Sequence, residues 1–265
     1  MPKVSVIIPC FNQGGYLDEA VNSVLAQTYS DFEIIIVNDG STDVASNDLL
    51  SDYRRPQCRV LLTNNQGLAA ARNNGIRAAK GEFILPLDAD DRIGPDYLHE
   101  AVRILDADPK VGIVYCEAEK FGAQAGRWRL PEFSLRKMLF SNLIFCSAVF
   151  RRADWEQVGG YRTNMKSGWE DWDFWLSVLE LGREVVKLQQ TLFFYRVKEA
   201  SMIKAMDREV RIAMHHQLIY NHWKLYHAQA LPVLRLYHKI MDSSIYRWLK
   251  AMNLTRLAAN LWVRK

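Results

Sequence analysis

Short apolar segments and amphipathic segments alternate over the first 116 residues, and this alternation constrains the fold more than any other feature of the sequence. Uninterrupted apolar segments of this length are typical of strands that are buried on both faces of a parallel sheet. Strands are predicted at 4–8, 32–37, 60–62, 83–85 and 111–116, and helices at 17–27, 68–80 and 95–105. The pattern therefore predicts an α/β fold in which helices flank a mostly parallel sheet.

The rest of the chain is irregular up to about residue 145 and then becomes mainly helical. We expect a loop over 121–145 that includes a short helix near 135–140, then a helix over 169–181 and a strand over 192–197. Only helices are predicted from about Asp207 onward. Apolar residues recur there with the three-four spacing of amphipathic helices. They are Leu234, Tyr237, Met241, Ile245, Trp248 and Met252, and then Leu254, Leu257, Ala258, Leu261 and Trp262.

The composition is that of a folded globular protein, because 49% of the 265 residues are apolar and 24% are charged. No apolar stretch is long enough to span a membrane, and the first residues lack the pattern of a secretory leader. The four cysteines are widely spaced, which predicts buried thiols in a reducing compartment and disfavours disulfides and a zinc site. We therefore expect a cytoplasmic protein.

Charge is unevenly distributed along the chain. The net charge is +4, but residues 201–265 carry 11 lysines and arginines against 3 acidic residues, so the first 200 residues are acidic overall. Aromatic and basic residues are interleaved in this C-terminal segment, as in helices that lie on the inner face of a plasma membrane. A helical subdomain with a solvated basic face explains the same pattern, and both interpretations stay open. Nucleic-acid binding is disfavoured, because no nucleic-acid-binding motif accompanies the charge.

Polar segments follow each of the first four predicted strands. Ligands of open parallel sheets bind beyond the carboxyl ends of the strands, so we expect these segments to converge on one edge. The last of them holds three carboxylates, from Asp88, Asp90 and Asp91, which are costly to place together unless a cation compensates their charge. The four segments are residues 9–12, 38–43, 64–67 and 88–91.

The acidic segment predicts a site for Mn²⁺ or Mg²⁺, because hard oxygen ligands suit these ions and the ions commonly bridge to substrate phosphates. Gly67 at the start of a helix is expected to leave backbone N–H groups open to a phosphate, with Arg72 one turn further on. Neither the Gly-rich dinucleotide fingerprint nor the P-loop motif is present in the sequence. A diphosphate ligand held through a metal is therefore the favoured partner.

Five motifs together resemble the family 2 inverting glycosyltransferases of GT-A fold. They are residues 6–12 (VIIPCFN), 37–43 (VNDGSTD), 65–73 (NQGLAAARN), 87–91 (LDADD) and 169–173 (WEDWD). The resemblance covers about residues 3–200. It implies a glycosyltransferase domain over 1–200, with a nucleotide-binding half over 1–115 and an acceptor half over 116–200, followed by a basic amphipathic helical tail over 201–265.

The resemblance also implies a role for individual residues. Asp171 is the expected general base, and Trp169 and Glu170 are expected to contact the acceptor. Asp88 and Asp90 are expected to bind the metal ion, Asp88 also reaching the ribose. Phe11 is expected to stack on the base, Asp39 to accept its N–H, and Arg72 to contact the base or the diphosphate. The full set expected to bind the donor is Pro9, Phe11, Asn12, Asp39, Asn65, Gly67, Arg72, Asp88 and Lys198.

One position departs from the family pattern. Members of the family often have Tyr-Arg-x-His after the last sheet strand, whereas this chain has Tyr195, Arg196, Val197 and Lys198. A protonated lysine is not a metal ligand, but it neutralises phosphate directly. We expect Lys198 to contact the diphosphate and the metal dependence to be weaker than is usual in the family.

Structural explanations exist for the same residues. Asp88 and Asp90 are also typical of turns and helix caps, and Asp39 before Gly40 is typical of a turn. Acidic residues such as Glu170 and Asp171 favour a helix N-terminus, and Arg72 has the spacing of a surface helix residue.

The resemblance implies transfer of a sugar from a nucleotide-diphospho-sugar, most simply a UDP-sugar, to a glycan or lipid-linked glycan. Two other functions stay open. One is a catalytically silent module that binds nucleotide-sugars or glycans. The other is a sugar-1-phosphate nucleotidyltransferase, which is disfavoured because its Gly-rich opening loop is missing.

Overall fold

A computed structural model describes residues 1–199, 206–241 and 243. Within these residues a nine-stranded sheet has the order β3-β2-β1-β4-β8-β6-β9-β5, and β7 pairs with β6. The strands are β1 (Val4–Cys10), β2 (Phe32–Asp39), β3 (Cys58–Thr63), β4 (Phe83–Pro86), β5 (Arg92–Ile93), β6 (Val111–Gly122), β7 (Gly126–Trp128), β8 (Val149–Arg151) and β9 (Glu184–Val197).

Helices flank this sheet. They are α1 (Gly14–Leu25), α2 (Val44–Ser51), α3 (Leu68–Ala78), α4 (Tyr97–Ala107), α5 (Leu135–Met138), α6 (Arg152–Val158), α7 (Glu170–Glu180), α8 (Arg208–Asn221) and α9 (Trp223–Met241). The described residues divide into two units after Asn221. The division into domains at residue 200 stays a prediction.

The long ladders of the sheet are parallel, as predicted. Strand β1 pairs in parallel with β2 and with β4, and β2 pairs in parallel with β3. The antiparallel pairs of β8 with β4 and β6 are two residues long each, and they join these strands to the parallel pair β6–β9. Every residue of β1 and β4 is buried, because helices cover both faces of the sheet. The carboxyl ends of β1, β2 and β4 therefore lie side by side.

The structure adds elements that the apolar pattern did not indicate. Helix α2 buries only Ser46 and Leu50, so its sequence carries little helical periodicity. Strand β9 begins at Glu184, eight residues before the predicted start, because its first half is polar and only partly buried. Helices α8 and α9 confirm the helical prediction up to Met241. The predicted amphipathic pattern at Ile245 and beyond lies outside the described residues.

Membrane-spanning helices were not expected from the sequence. Among the residues that the structure describes, no helix combines the length and the apolar character that a membrane crossing requires.

Replacing Gly75 with alanine tests the close packing of α3 on the sheet. A Cβ atom at this position would meet Ile7 Cγ2 at 2.4 Å and Val37 Cγ2 at 3.0 Å, so Gly75→Ala is expected to lower the free energy of unfolding by about 1–3 kcal/mol. Gly15→Ala on α1 is the matched control, since its Cβ meets no atom within 4 Å, and we expect it to be neutral or slightly stabilising. Urea unfolding of both variants measures the difference, and equal midpoints would contradict this packing.

Candidate active site

The loops after β1 and β2 are joined by hydrogen bonds at the carboxyl edge of the sheet. The Asn12 side-chain oxygen accepts the backbone N–H groups of Thr42 (2.7 Å) and Asp43 (3.1 Å), and Ser41 Oγ accepts the N–H of Asn12. Asn12 adopts a positive φ of 54°, a conformation that asparagine tolerates better than most residues. Phe11 beside it is 43% exposed, so its ring is open to a ligand.

Asp39 at the end of β2 is buried and organises the loop before α3. Its carboxylate accepts the backbone N–H groups of Gln66 and Gly67 and the hydroxyl of Thr63. The Gly67 N–H is therefore hydrogen-bonded within the protein. The sequence had suggested that it would be open to a phosphate. This difference arises because the sequence pattern does not show that Asp39 reaches across to the next loop.

Arg72 on α3 is the most buried cation of the edge, with a side chain 1% exposed. One terminal nitrogen of its guanidinium pairs with Asp88 at 2.8 Å, and the other pairs with Glu170. The sequence assigned Arg72 to the nucleotide and Glu170 to the acceptor. In the structure these two side chains pair with each other, because a buried carboxylate and a buried guanidinium each need a partner. Their roles toward the nucleotide and the acceptor stay predictions.

Several groups offset the negative charge of the acidic turn (residues 88–91) that follows β4. Asp90 Oδ2 pairs with Lys198 Nζ at 2.7 Å, and Asp88 Oδ2 accepts the thiol of Cys146 at 3.4 Å. Asp91 Oδ1 accepts the backbone N–H of Arg196, while Asp91 Oδ2 is buried and has no hydrogen-bond partner among the described residues. Burial raises the pKa of Asp90 and of Asp91, and the charge of Asp88 raises both further.

Asp171 lies in the first turn of α7, next to Glu170. The helix follows Trp169, whose backbone is left-handed with a φ of 61°. Asp171 Oδ2 accepts the side-chain N–H of Asn142 at 3.1 Å. Burial and the neighbouring charge of Glu170 raise the pKa of Asp171 to about 7, against a smaller opposite effect of Arg72. A carboxylate with this pKa is suited to accept a proton near neutral pH.

Trp169 and Trp172 directly precede and follow the Glu170–Asp171 pair in the sequence, and they pack against each other and against His215. The ring centroids of Trp169 and Trp172 are 5.3 Å apart, and the edge of His215 on α8 meets them at 4.7 and 5.4 Å. Trp172 is buried and donates its indole N–H to the carbonyl of Met138, whereas Trp169 is half-buried. Trp169 is therefore the ring of this pair that is better placed for a ligand.

The structure brings the predicted metal-binding and catalytic carboxylates together through Arg72, which links Asp88 to the residue before Asp171. The first loop and Asp39 lie at the same edge of the sheet, at the ends of the adjacent parallel strands β1 and β2. Lys198, predicted to meet the diphosphate, pairs with Asp90. The remaining predicted donor residues are at the same edge: Pro9 is near the end of β1, and Asn65 is exposed before α3.

Three residues of the site were missed by the sequence analysis. Asn142 and Cys146 lie in the irregular segment before β8, and His215 lies on α8. No motif marks them, because each reaches the site through tertiary packing. The Cys146 thiol meets Asp88 and the His215 ring meets Trp169, and only the three-dimensional structure reveals these contacts.

The chemistry of the acidic turn fits a divalent cation. The ligand atoms of Asp88, Asp91 and Cys146 lie within 4.8 Å of one another, and the buried Asp91 Oδ2 lacks a hydrogen bond within the described chain. Among the described residues, the carboxylates of the region outnumber the cations that pair with them. They are Asp88, Asp90, Asp91, Glu170 and Asp171, against Arg72 and Lys198. Oxygen-rich sites of this kind suit Mn²⁺ or Mg²⁺.

Residues 5–162 match the family model described as glycosyl transferase family 2. Among curated relatives, chondroitin synthase of Pasteurella multocida is 30% identical over 188 residues, which are 69% of this chain and 19% of that protein. A putative glycosyltransferase of Bacillus subtilis, EpsH, is 43% identical over 117 residues, which are 43% of this chain and 33% of the relative. The chain thus spans only a fifth to a third of these relatives.

Two solved structures share the fold. TarS residues 1–349 of S. aureus, in complex with UDP-GlcNAc, superimposes with a TM-score of 0.68 at 20% identity and covers 83% of this chain and 66% of that one. The mannosyltransferase PcManGT of Pyrobaculum calidifontis, in complex with GDP-Man and Mn²⁺, superimposes with a TM-score of 0.60 at 20% identity. That match covers 100% of this chain and 88% of the other, so the fold is GT-A.

Removing the Arg72 charge is expected to destabilise the protein strongly. Arg72→Met leaves Asp88 and Glu170 without their cation, which costs about 3–5 kcal/mol for a buried pair. Urea unfolding at pH 7 measures the loss. Arg77→Met on the same helix, at an exposed position, is the matched control and is expected to change stability by less than about 0.5 kcal/mol. Equal stability of the Arg72 variant and the wild type would contradict the bridging role.

Proposed function

The chain belongs to glycosyl transferase family 2, and we propose that it transfers a sugar from a nucleotide-diphospho-sugar to an acceptor hydroxyl with inversion at the anomeric carbon. The observation that carries this proposal is the Arg72 bridge, which holds the acidic turn and the helix of Asp171 within one ion-pair network. A donor-binding group and a proton acceptor have to face the same sugar carbon in a single displacement.

Asp171 is the proposed general base. Its carboxylate takes the proton of the acceptor hydroxyl as that oxygen attacks the sugar carbon, and the nucleoside diphosphate leaves from the opposite face. Asn142 donates to Oδ2 of this carboxylate and the backbone N–H of Trp172 donates to Oδ1, so both oxygens are held in place. Each carboxylate oxygen has a further lone pair, which is the proposed acceptor of the proton. Trp169 offers an apolar ring beside this position, suited to the face of a sugar.

The donor side of the site is built from the first loop and the acidic turn. The exposed ring of Phe11 is the proposed stacking surface for the base, and Asp39 and Asn65 are further proposed donor contacts at the same edge of the sheet. Asp88 and Asp90 are the proposed ligands of a divalent ion, and Lys198 is the proposed partner of the diphosphate. When bound, such an ion stabilises the negative charge of the leaving diphosphate.

A UDP-sugar donor and a glycan or lipid-linked glycan acceptor are the proposed substrates. In support, the curated relatives include a chondroitin synthase and a hyaluronan synthase of Pasteurella multocida, and a structural neighbour was solved with UDP-GlcNAc. These names describe the relatives. For this chain they favour synthesis of a surface polysaccharide.

Asp171→Asn separates an enzyme from a silent binding module. We expect the variant to lose at least about a hundredfold in kcat/KM while it binds the nucleotide-sugar as the wild type does, because the amide cannot accept the proton. Glu180→Gln, at the exposed end of the same helix, is the control and retains activity. Donor binding is measured by calorimetry and transfer by release of the nucleoside diphosphate. A wild type that binds donor without turning it over would favour the binding module.

The pH dependence of transfer follows from the raised pKa of Asp171. The base acts only when deprotonated, so kcat/KM of the wild type is expected to rise with pH and to reach half of its plateau near pH 7. The folded pKa exceeds the unfolded one, so folding binds a proton between these values and stability falls as pH rises from about 4 toward 7. Asp171→Asn is expected to flatten this fall in melting temperature. An unchanged slope in the variant would contradict the assignment.

We further propose that the basic tail contacts anionic lipid, which places the enzyme on the cytoplasmic face of the plasma membrane. Helix α9 exposes Trp223, Lys224, Arg235 and Lys239. Such a mixture of basic and aromatic residues is typical of membrane-surface helices.

Vesicle sedimentation tests this surface. The double variant Arg235→Glu and Lys239→Glu is expected to lose binding to vesicles that contain anionic lipid, and binding of the wild type is expected to fall with salt. Lys80→Glu with Lys110→Glu, at exposed positions outside α9, is the matched control. Negligible sedimentation of the wild type would favour a tail that only packs as a helical subdomain.

A further inference from the structure

We propose that Lys198 is the resident cation of the acidic turn in the donor-free protein and that it excludes a divalent metal from Asp90 until the donor arrives. This inference rests on the proposed function, because it concerns the order in which the metal and the nucleotide-sugar bind. It predicts that the free protein binds metal weakly and that the nucleoside diphosphate and the metal bind together.

The position of Lys198 is fixed by the backbone of β9. The N–H of Arg196 donates to Asp91 Oδ1 at 2.8 Å, and its side-chain Nε donates to the carbonyl oxygen of Asp90 at 2.9 Å. These two bonds clamp the end of β9 onto the acidic turn. Lys198 follows two residues later, so its ammonium reaches Asp90 from a short and anchored segment.

The Lys198 ammonium occupies an oxygen that a metal at Asp90 would use. Its Nζ is 2.7 Å from Asp90 Oδ2, and the two side chains are 27% and 12% exposed. Partial burial strengthens this pairing relative to a surface ion pair. A divalent ion bound at the same carboxylate would repel the ammonium, so the two cations compete for Asp90.

Asp91 Oδ2 is open to a metal, since it is buried without a hydrogen bond in the described chain, but the other carboxylates of the turn hold partners. Asp88 already pairs with Arg72 through one oxygen and accepts the Cys146 thiol through the other. Displacing Lys198 therefore gives the ion a second carboxylate, that of Asp90, beside Asp91.

A diphosphate provides the partner that the displaced ammonium needs. Lysine is a compact point charge that binds phosphate oxygens well. The centroid of the Tyr16 ring lies 5.7 Å from Lys198 Nζ. When the diphosphate binds, Lys198 exchanges a carboxylate for a phosphate, and Asp90 becomes available to the metal. Each ligand then raises the affinity of the other by the same factor, as thermodynamic linkage requires.

Replacing Lys198 distinguishes this exchange of partners from an ion pair that only stabilises the fold. Lys198→Met keeps the length of the side chain but removes its charge, so the variant is expected to bind Mn²⁺ at least tenfold more tightly than the wild type when no nucleotide is present. UDP is expected to raise Mn²⁺ affinity strongly in the wild type and much less in the variant. Electron paramagnetic resonance of free Mn²⁺ measures both affinities without any transfer reaction.

Two controls complete the experiment. Lys80→Met removes an exposed charge beyond the far end of α3 and is expected to bind Mn²⁺ as the wild type does. Asp90→Asn combined with Lys198→Met is expected to lose the tighter binding, which shows that the gain acts through Asp90. Near-ultraviolet circular dichroism of all variants establishes that the site is folded.

The outcomes distinguish this inference from the proposed function. Equal Mn²⁺ affinity of the wild type and Lys198→Met without nucleotide overturns the inference, as does the absence of Mn²⁺ binding by both proteins in the presence of UDP. Neither result bears on sugar transfer, which the Asp171→Asn measurement decides separately. A tenfold gain in the variant together with a smaller effect of UDP supports the exchange.

Discussion

The buried guanidinium of Arg72 is the interaction on which the site depends. It lies on α3, which the sheet holds by close packing, and it reaches two carboxylates that are 82 positions apart in the chain, Asp88 and Glu170. A buried cation with two such partners is stable only when both remain in place, because an unpaired charge in this environment carries a large desolvation cost. The pairing therefore fixes the distance between the acidic turn of the first half and helix α7 of the second half. Asp171 follows Glu170 directly, so the same bridge orients the proposed base.

Excess negative charge is the second property of the site. Mutual repulsion and burial raise the pKa values of Asp90, Asp91 and Asp171, and each of these carboxylates is therefore prepared to bind a cation or a proton. The partners differ from one carboxylate to the next. Arg72 pairs with Asp88, and Lys198 pairs with Asp90. Asp91 Oδ2 is without a hydrogen bond in the described chain. Fixed internal cations keep the cluster folded when no ligand is bound. A ligand that brings its own charges, such as a diphosphate with a metal ion, has to rearrange at least one of these pairs.

The apolar pattern was sufficient to predict the parallel strands β1, β2 and β4 and therefore the edge where polar residues gather. The same pattern failed for α2 and for the first half of β9, since neither buries a continuous apolar face. The chemical types of the site residues were also predictable, because carboxylates after β4 and in the first turn of α7 stand in recognisable motifs. Their partners were not. Arg72 and Glu170 look like ligand contacts in the sequence, and only three-dimensional proximity shows that they satisfy each other. Asn142 and His215 carry no signal at all, because their roles arise from packing.

Helix α8 illustrates how far the site extends beyond the motifs. His215 lies edge-on against Trp169 and Trp172, and Asn221 at the end of the helix donates to Asp173 Oδ1 at 2.6 Å. Asp173 in turn pairs with Arg162, so α8 is attached to α7 by both aromatic and polar contacts. Trp169 has a left-handed backbone that is unfavourable for a residue with a large side chain, and it is held in this conformation by its surroundings. A segment that follows the matched family region thus supports the wall next to the proposed base. If Trp169 contacts the acceptor as proposed, substitutions in α8 would act on acceptor preference through this packing, apart from the polar edge built on β1, β2 and β4.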